Sequence, residues 1–193
     1  PIGGGLIKGE WFRKFPLAAM PPGPVHFYVD TAYTKKTEND ETAILAYKVW
    51  KGRIYIIHSA AVRKEFHELV VWLPLYVEAA GYTPQSIIKI EPKASGLSVY
   101  QELDDKTDLN VQPAANPEGD KVTRVTVIGP TLSTGHVYIM EPPAGDSGEW
   151  QAAFIAQCEG FPNAAHDDRV DTLEGAVRND LVMEAWNTIT KTN

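Results

Sequence analysis

Apolar and polar positions in the first third of the chain form short runs of β-forming residues. Residues 25–30 are apolar up to a final acid, and two further runs, Thr42–Trp50 and residues 53–61, are separated only by Lys51 and Gly52. Runs of β-branched and aromatic residues of this length are typical of strands, and a two-residue connection ending in Gly indicates a tight hairpin turn. Three strands in series with short connections predict an antiparallel meander.

A helical spacing begins at residue 65. Apolar residues recur at helical intervals across residues 65–80, namely Phe66, Leu69, Val70, Leu73 and Val77. This is the pattern of an amphipathic helix. Pro74 inside the segment predicts a kink, and Gly81 is a plausible C-terminal cap.

The rest of the chain alternates between the two patterns. Strands are predicted at residues 86–90 and 136–140, with a short strand near residues 109–112; helices are predicted at residues 96–103, 150–159 and 167–186. Residues 120–128 fit a helix or a strand. Three strands, a helix, a strand, a helix, a strand and then helices predict an α/β fold, a mixed sheet flanked by helices.

Residues 1–24 are rich in Gly and Pro and are predicted to be an arm or linker ahead of a folded body at residues 25–193. Trp11, Phe12 and Phe15 are too apolar for a free linker, so we expect the arm to pack against something. The chain starts without Met and without the apolar stretch of a signal peptide. We therefore expect an excised fragment of a longer protein.

Composition narrows the function classes. The 193 residues fit one domain, 44% of them are hydrophobic, and no run approaches the length of a membrane span. The net charge of −7 argues against a protein that coats nucleic acid in general. It does not exclude a nuclease, since a metal site concentrates carboxylates. A local basic strip remains open, with these candidates: Lys35, Lys36, Arg63, Lys64, Lys93, Lys121 and Arg124.

Cys158 is the only cysteine, so the chain forms no internal disulfide and no cysteine-rich zinc site. A reducing cytoplasm is the expected compartment. Because free cysteines are among the most buried residues, we expect Cys158 to be a core residue on a helix, with Trp150 and Phe154 on the same face.

Two acids end two otherwise apolar strands. Asp30 closes the first strand, and Glu91 follows residues 87–90 and precedes Pro92, which stops the strand. Two such acids can lie side by side at a sheet edge. Like charges that close are unfavourable unless a cation neutralises them, which is the physical reason to expect a metal.

A third acidic element begins the last predicted helix. Asp168 and Asp171 are three residues apart, so both can project from one helix face, whereas we expect Asp167 to be a cap. Hard oxygen ligands of this kind suit Mg²⁺ or Mn²⁺. Lys93 is a candidate contact to a DNA phosphate or a surface lysine. His166 is a candidate supporting donor or a packing residue, and Arg169 a surface or DNA-backbone residue.

These segments together resemble a known family. Asp30-Thr-Ala with Asp40-Glu-Thr-Ala, then Ile90-Glu-Pro-Lys-Ala-Ser-Gly96, then His166-Asp-Asp-Arg-Val-Asp171 look like the nuclease motifs of tailed-phage terminase large subunits. The arm, Gly-Gly-Gly-Leu-Ile-Lys-Gly-Glu-Trp-Phe, resembles the segment joining the ATPase and nuclease domains in such proteins. The resemblance runs from about residue 3 to about residue 185, and its two later motifs are the specific ones.

The resemblance implies an RNase H-like fold of the resolvase and integrase kind and a two-metal endonuclease, with Mg²⁺ or Mn²⁺, that cuts double-stranded concatemeric viral DNA during genome packaging. Asp30 matches the bridging acid, Glu91 the second acid and Asp168 the third, with Asp171 as a supporting or alternative ligand. It also implies an ATPase domain, a small terminase subunit and a portal as partners, no membrane, and the host cytoplasm. The ATPase motifs are absent from this chain, including the G-x-x-x-x-G-K-[ST] phosphate loop.

Two alternative functions stay open. Another RNase H-like nuclease, such as a Holliday-junction resolvase or a transposase, usually lacks the Gly-rich arm with Trp11 and Phe12. A catalytically silent DNA-binding or portal-docking module would not need acids at all three positions. The sequence leaves open the phage of origin, the cleavage specificity, the oligomeric state and the identity of the third metal ligand.

Overall fold

The computed structural model describes residues 5–32 and 41–183. The strands are β1 (Arg13–Phe15), β2 (His26–Asp30), β3 (Thr42–Trp50), β4 (Arg53–Val62), β5 (Ile88–Ile90), β6 (Val111–Pro113) and β7 (Val137–Met140). The helices are α1 (Phe66–Ala79), α2 (Ala94–Lys106), α3 (Lys121–Ser133), α4 (Glu149–Gly160) and α5 (Asp168–Val177), which continues into a π-helical turn at Arg178–Val182.

The strands form one mixed sheet in the order β1-β7-β4-β3-β2-β5-β6. Strands β2, β3 and β4 are the predicted antiparallel meander, and β5 and β6 extend it in parallel from β2. Lys51 and Gly52, at the β3–β4 turn, both have positive φ, 50° and 68°, as the tight hairpin turn requires. The predicted mixed α/β sheet is confirmed.

Each face of the sheet carries its own apolar layer, because successive strand residues point to opposite sides. Tyr28 and Leu45 belong to the layer that packs against α3, α4 and α5, whereas Phe27, Val29 and Ile44 belong to the layer under α1 and α2. Cys158 is fully buried in the first layer together with Phe154, and Trp150 packs against it. The prediction for these three residues is confirmed.

Helix α1 forms where the apolar spacing predicts it. Its N-terminus is closed by a capping box between Glu65 and Glu68. At its C-terminus, Gly81 has φ of 96°, its N–H donates to the carbonyl of Glu78, and the N–H of Tyr82 donates to that of Val77. These bonds are the glycine cap that the sequence predicts.

Other boundaries differ from the sequence prediction. Helix α2 is longer than predicted at both ends, and residues 120–128 belong to helix α3, whose N-terminus is capped by the Asp120 side chain accepting from the Thr123 N–H at 2.9 Å. The last helix widens into the π-helical turn, and the end of the predicted helix at residues 184–186 lies outside the described residues.

Residues 5–24 pack on the body, as the aromatic residues of the predicted arm indicate. Strand β1 pairs in parallel with β7, and Ile7, Phe12 and Phe15 are buried. The Phe12 ring meets the Phe154 ring edge-on at 5.6 Å. Among the helices in the described part of the chain, none combines the length and the apolar character needed to span a membrane.

Candidate metal centre

The parallel pairing of β2 and β5 brings the two strand-end acids together. Val29 lies beside Ile90, and the N–H of Glu91 donates to the carbonyl of Val29 at 3.0 Å. Asp30 and Glu91 are therefore next to each other, at the carboxyl-terminal ends of two adjacent parallel strands. Burial raises the pKa of Asp30 well above its ordinary value, and the neighbouring charges of Glu91 and then Asp171 raise it further.

Helix α5 supplies the third acid because it lies directly on β2. A Cβ placed on Gly175 would be 2.1 Å from Cζ of Tyr28, so only glycine allows this approach. Asp171 precedes Gly175 by four residues, about 6 Å of helix, and Asp30 follows Tyr28 by two residues, about 6.6 Å of strand. The charge of Asp171 acts on Asp30, which agrees with the two carboxylates lying at about the same level, and Asp171 is 5% exposed.

Lysine ammonium groups neutralise much of this cluster. Nζ of Lys121 lies 2.5 Å from Oδ2 of Asp171 and 2.8 Å from Oδ1 of Asp167, and Nζ of Lys93 lies 2.7 Å from Oε1 of Glu91. Burial alone would lower the pKa of Lys121, but the Asp171 charge and the contacts with both aspartates outweigh it and raise that pKa. The two lysines therefore neutralise part of the negative charge of the acids.

The acids do not converge on a single point. Within residues 5–32 and 41–183, no three Asp, Glu, His or Cys side chains are arranged as a complete metal site. Glu91 and Asp171 are instead each paired with a lysine, Lys93 and Lys121. Oε1 of Glu91 is buried, and despite the nearby Lys93 no described donor is aligned to hydrogen-bond to it.

The remaining residues of the third motif lie at the edge of the cluster. Asp168 is half-buried, and its pKa is raised by burial and by Asp167 and Glu41. His166 is exposed. The Arg169 side chain is half-buried and donates to Oγ of Ser59 at 2.8 Å, which places it among protein partners and not on the open surface expected of it.

Behind Asp171 lies a buried charge network that sequence reasoning missed. Arg124 donates to Oε2 of Glu174 at 3.3 Å, to Oδ1 of Asp171 at 3.4 Å and to the carbonyl of Gly119 at 3.1 Å. Glu174 also accepts from Nε of Arg178 at 2.7 Å. The sequence indicates this network only if residues 120–128 are interpreted as a helix, because Lys121 and Arg124 then share one face.

A second supporting set joins the end of β2 to α2. Oγ of Ser95 donates to the Thr31 carbonyl at 2.8 Å and lies 2.9 Å from Oγ1 of Thr31. A Cβ on Gly96 would lie 1.8 Å from the Glu91 carbonyl oxygen. Ser95 therefore holds the backbone that follows Asp30 and Gly96 packs on the backbone of Glu91, roles that the motif itself did not reveal.

Most of the candidate basic strip is paired with acids. Besides Lys93, Lys121 and Arg124, Arg63 lies 3.5 Å from Glu41, and Nζ of Lys64 lies over the Trp72 ring. Lys35 and Lys36, like the Asp40 part of the first motif, lie outside the described residues. The paired cations offer no continuous basic strip among the described residues.

The donor set fits a hard divalent cation. Asp30, Glu91 and Asp171 offer carboxylate oxygens, which Mg²⁺ and Mn²⁺ prefer. Oε1 of Glu91 is buried, with the Lys93 ammonium group 2.7 Å away, and like charges that lie close are unfavourable unless cations neutralise them. The residues present therefore suit divalent cations.

The order of strands and the site at the end of β2 define an RNase H-like fold. The family model "Terminase RNaseH-like domain" matches residues 27–179, and the chain belongs to this family. Among curated protein sequences, none matches the chain.

Solved structures agree on the fold. The large terminase nuclease from thermophilic phage G20c with bound magnesium superposes with a TM-score of 0.61 at 14% identity, covering 91% of this chain and 97% of that one. The same nuclease with bound zinc gives a TM-score of 0.58 at 14% identity, covering 89% and 96%.

The large terminase of another thermophilic bacteriophage, in complex with ADP, gives a TM-score of 0.61 at 14% identity, covering 92% of this chain and 45% of that one. This chain thus spans less than half of that second large terminase. At such identities the likeness shows the fold, and it confirms the predicted RNase H-like architecture.

Proposed function

We propose that this chain is a divalent-metal-dependent endonuclease that cuts double-stranded viral DNA during genome packaging. The observation that carries the proposal is that β2 and β5 bring Asp30 and Glu91 side by side, and that the charges of Glu91 and of Asp171 on α5 both act on Asp30. Membership of the terminase RNase H-like family and the metals bound by the G20c nuclease support it.

The acids would hold two cations, Mg²⁺ or Mn²⁺. Bound there, a pair of such cations activates a water molecule and stabilises the leaving 3′ oxygen of a phosphodiester. Asp30 feels the charges of both Glu91 and Asp171, so it is the acid placed to be shared between two ions. The fixed backbones of β2 and β5 orient Asp30 and Glu91 before the substrate arrives.

We further propose Asp171 as the direct third ligand, with Asp168 in a supporting position. The motif resemblance favoured the reverse assignment. The Asp171 charge acts on Asp30, whereas the acids that raise the pKa of Asp168, after burial, are Asp167 and Glu41. A crystal soaked with Mn²⁺ decides the assignment: coordination by Asp168 with Asp171 turned away would overturn ours.

The family match supports a proposal about the wider setting. We propose that the domain works with an ATPase domain, a small terminase subunit and a portal on concatemeric DNA in the host cytoplasm. The second large terminase, of which this chain matches less than half, was solved with ADP and with ATP-γ-S. Lys93 at the mouth of the cluster is a proposed DNA-phosphate contact.

Nicking of supercoiled plasmid tests the activity. We expect the chain to convert supercoiled DNA to nicked and linear forms with Mg²⁺ or Mn²⁺, with little sequence preference, and to stop in excess EDTA. Asp171→Asn should lose cleavage more completely than Asp168→Asn. Cleavage that persists undiminished in EDTA would refute the metal dependence, and binding without any cleavage would favour the silent DNA-binding module.

A further inference from the structure

The ammonium group of Lys121 lies against a carboxylate that would have to be free to bind a metal ion. We propose that Lys121 is an exchangeable counter-cation: its ammonium group occupies the Asp167–Asp171 side of the cluster in the metal-free protein and moves to a DNA backbone phosphate when a divalent cation binds. The inference rests on the proposed function and adds to it a residue that couples metal binding to DNA binding.

The contacts of Lys121 are those of a bound cation. Its ammonium nitrogen bridges Asp171 at 2.5 Å and Asp167 at 2.8 Å, and its side chain is 28% exposed. The backbone beneath it is fixed, because Lys121 is the first residue of α3 and Asp120 caps that helix. A flexible side chain thus extends from a rigid point to the acid that is the proposed third ligand.

A divalent cation on Asp171 would displace this ammonium group. Both would contact the same carboxylate, and the repulsion between them is twice that between two single charges at the same separation. The ion carries the larger charge and serves several acids at once, so Lys121 gives way. Asp171 keeps its place because Arg124 holds its other oxygen, Oδ1.

Arg124 and Lys93 differ from Lys121 in ways that matter. Arg124 is buried and donates to Gly119, Asp171 and Glu174, so it is fixed. Lys93 contacts Glu91 and has a side chain that is 51% exposed, so it is half in solvent before any metal binds. Lys121 combines enclosure by two acids with a side chain long enough to leave.

A phosphate is the nearest destination once metal and DNA are bound. Cations at Asp171 would hold the scissile phosphate there, and Lys121 on α3 already reaches Asp171, so a backbone phosphate at that site would be within its reach. A lysine recognises phosphate as a compact point charge that needs no fixed geometry. The released ammonium group therefore exchanges one anionic partner for another.

Calcium binding, measured by titration calorimetry on the chain without DNA, tests the displacement. We expect Lys121→Met to bind Ca²⁺ about tenfold more tightly than wild type, equivalent to about 1.4 kcal/mol, and Lys121→Arg to bind no more tightly than wild type. Lys106→Met is the matched control, since Lys106 pairs with Glu102 at 2.5 Å on α2, outside the cluster, and should leave the affinity unchanged.

The outcomes separate the two proposals. Wild-type binding with an unchanged or weaker affinity in Lys121→Met overturns the exchange and leaves the nuclease standing. Absence of Ca²⁺, Mg²⁺ and Mn²⁺ binding in wild type overturns the metal centre and the exchange with it. Thermal melts confirm that each variant is folded; should Lys121→Met not fold, Lys121→Gln replaces it in the same comparison.

The salt dependence of DNA binding tests the destination. With a short duplex in Ca²⁺, its integrity checked on a gel, the slope of log K against log salt should be about 0.9 steeper for wild type than for Lys121→Met, one phosphate contact. In EDTA the two slopes should agree, because Lys121 is then engaged by the aspartates. Equal slopes in Ca²⁺, or the same difference in both conditions, would overturn the exchange.

Discussion

The two ends of α5 carry two buried carboxylate sites that the fold treats differently. At the N-terminal end the charge of Asp171 adds to that of Glu91 beside Asp30, whose pKa is raised by burial and by both charges. At the far end Asp180, in the π-helical turn, accepts from the Tyr47 hydroxyl and pairs with Lys89 of β5. One site concentrates like charge, whereas the other matches a single carboxylate with a cation and a hydroxyl.

The difference fits a structural role for the Asp180 site and the proposed metal-binding role for the acid cluster. The Asp180 site is complete within the protein, since its charge and its hydrogen bonds are met by described residues. In the acid cluster, the ammonium groups of Lys93 and Lys121 neutralise carboxylates. Several like charges gathered in a buried place are unfavourable unless cations neutralise them, so the acid cluster favours binding of a further cation.

Asp30→Asn should give the largest effect, on cleavage. A ligand shared between two ions has no substitute, so we expect a loss of plasmid nicking greater than the 10- to 100-fold that typically follows loss of a group supporting a metal ligand. The variant should stay folded and melt no lower than wild type in EDTA, because a repelling charge is gone. A clear drop in Tm would show that Asp30 is structural.

Asp180→Asn should lower the stability of the protein and leave metal binding unchanged. Lys89 is then left largely buried without its carboxylate, and breaking a buried pair from one side costs about 3–5 kcal/mol. We expect this loss of unfolding free energy in urea denaturation, with metal affinity unchanged. A stable Asp180→Asn variant would mean that the two ends of α5 are not divided as described.

Gly96→Ala tests whether backbone packing belongs to the acid end. The added methyl group would collide with the Glu91 carbonyl, and overpacking costs about 1–3 kcal/mol. We expect lower stability together with weakened metal binding, since Glu91 must move. Gly129→Ala is the control: it lies in α3 with open space around its Cβ and should gain about 0.5–1 kcal/mol. Equal behaviour of the two variants would refute this reasoning.

The pH dependence of the metal-free protein should show the smallest effect. The pKa of Asp30 is raised by burial and by Glu91, so the folded state keeps a proton that the unfolded state releases. The unfolding free energy then falls as pH rises from the ordinary aspartate pKa through the folded one.

Thermal melts in EDTA between about pH 4 and 8 measure this. The fall in Tm attributable to Asp30 should be on the order of a few degrees, and Asp30→Asn should lack that part of it. Parallel curves for the two proteins would show that Asp30 does not titrate in this range.

The spacing of apolar and turn residues predicted the elements that form within short stretches of the chain. The β3–β4 hairpin and α1 with its glycine cap were predicted because turn residues and apolar periodicity report on short stretches. The proximity of Asp30 and Glu91 followed from two strands ending alike. The fold name came from the motif resemblance and not from periodicity.

What escaped prediction depends on contacts between distant segments. The level of Asp171 relative to Asp30 is set by how closely Gly175 approaches Tyr28, which spacing within one helix does not report. The pairing of Lys121 with Asp171 required α3 to be recognised as a helix and placed against α5. Both contacts determine the chemistry of the site, and both join segments that are far apart in the sequence.

The short outer strands have a consequence for how the molecule behaves at high concentration. The sheet ends at β1 on one side and β6 on the other, each three residues long, and β6 closes on Pro113, which has no N–H to donate. Long unpaired edges recruit strands from other molecules, and brief or proline-bearing edges discourage it. The short edges of this sheet therefore guard the described part of the chain against aggregation by strand addition.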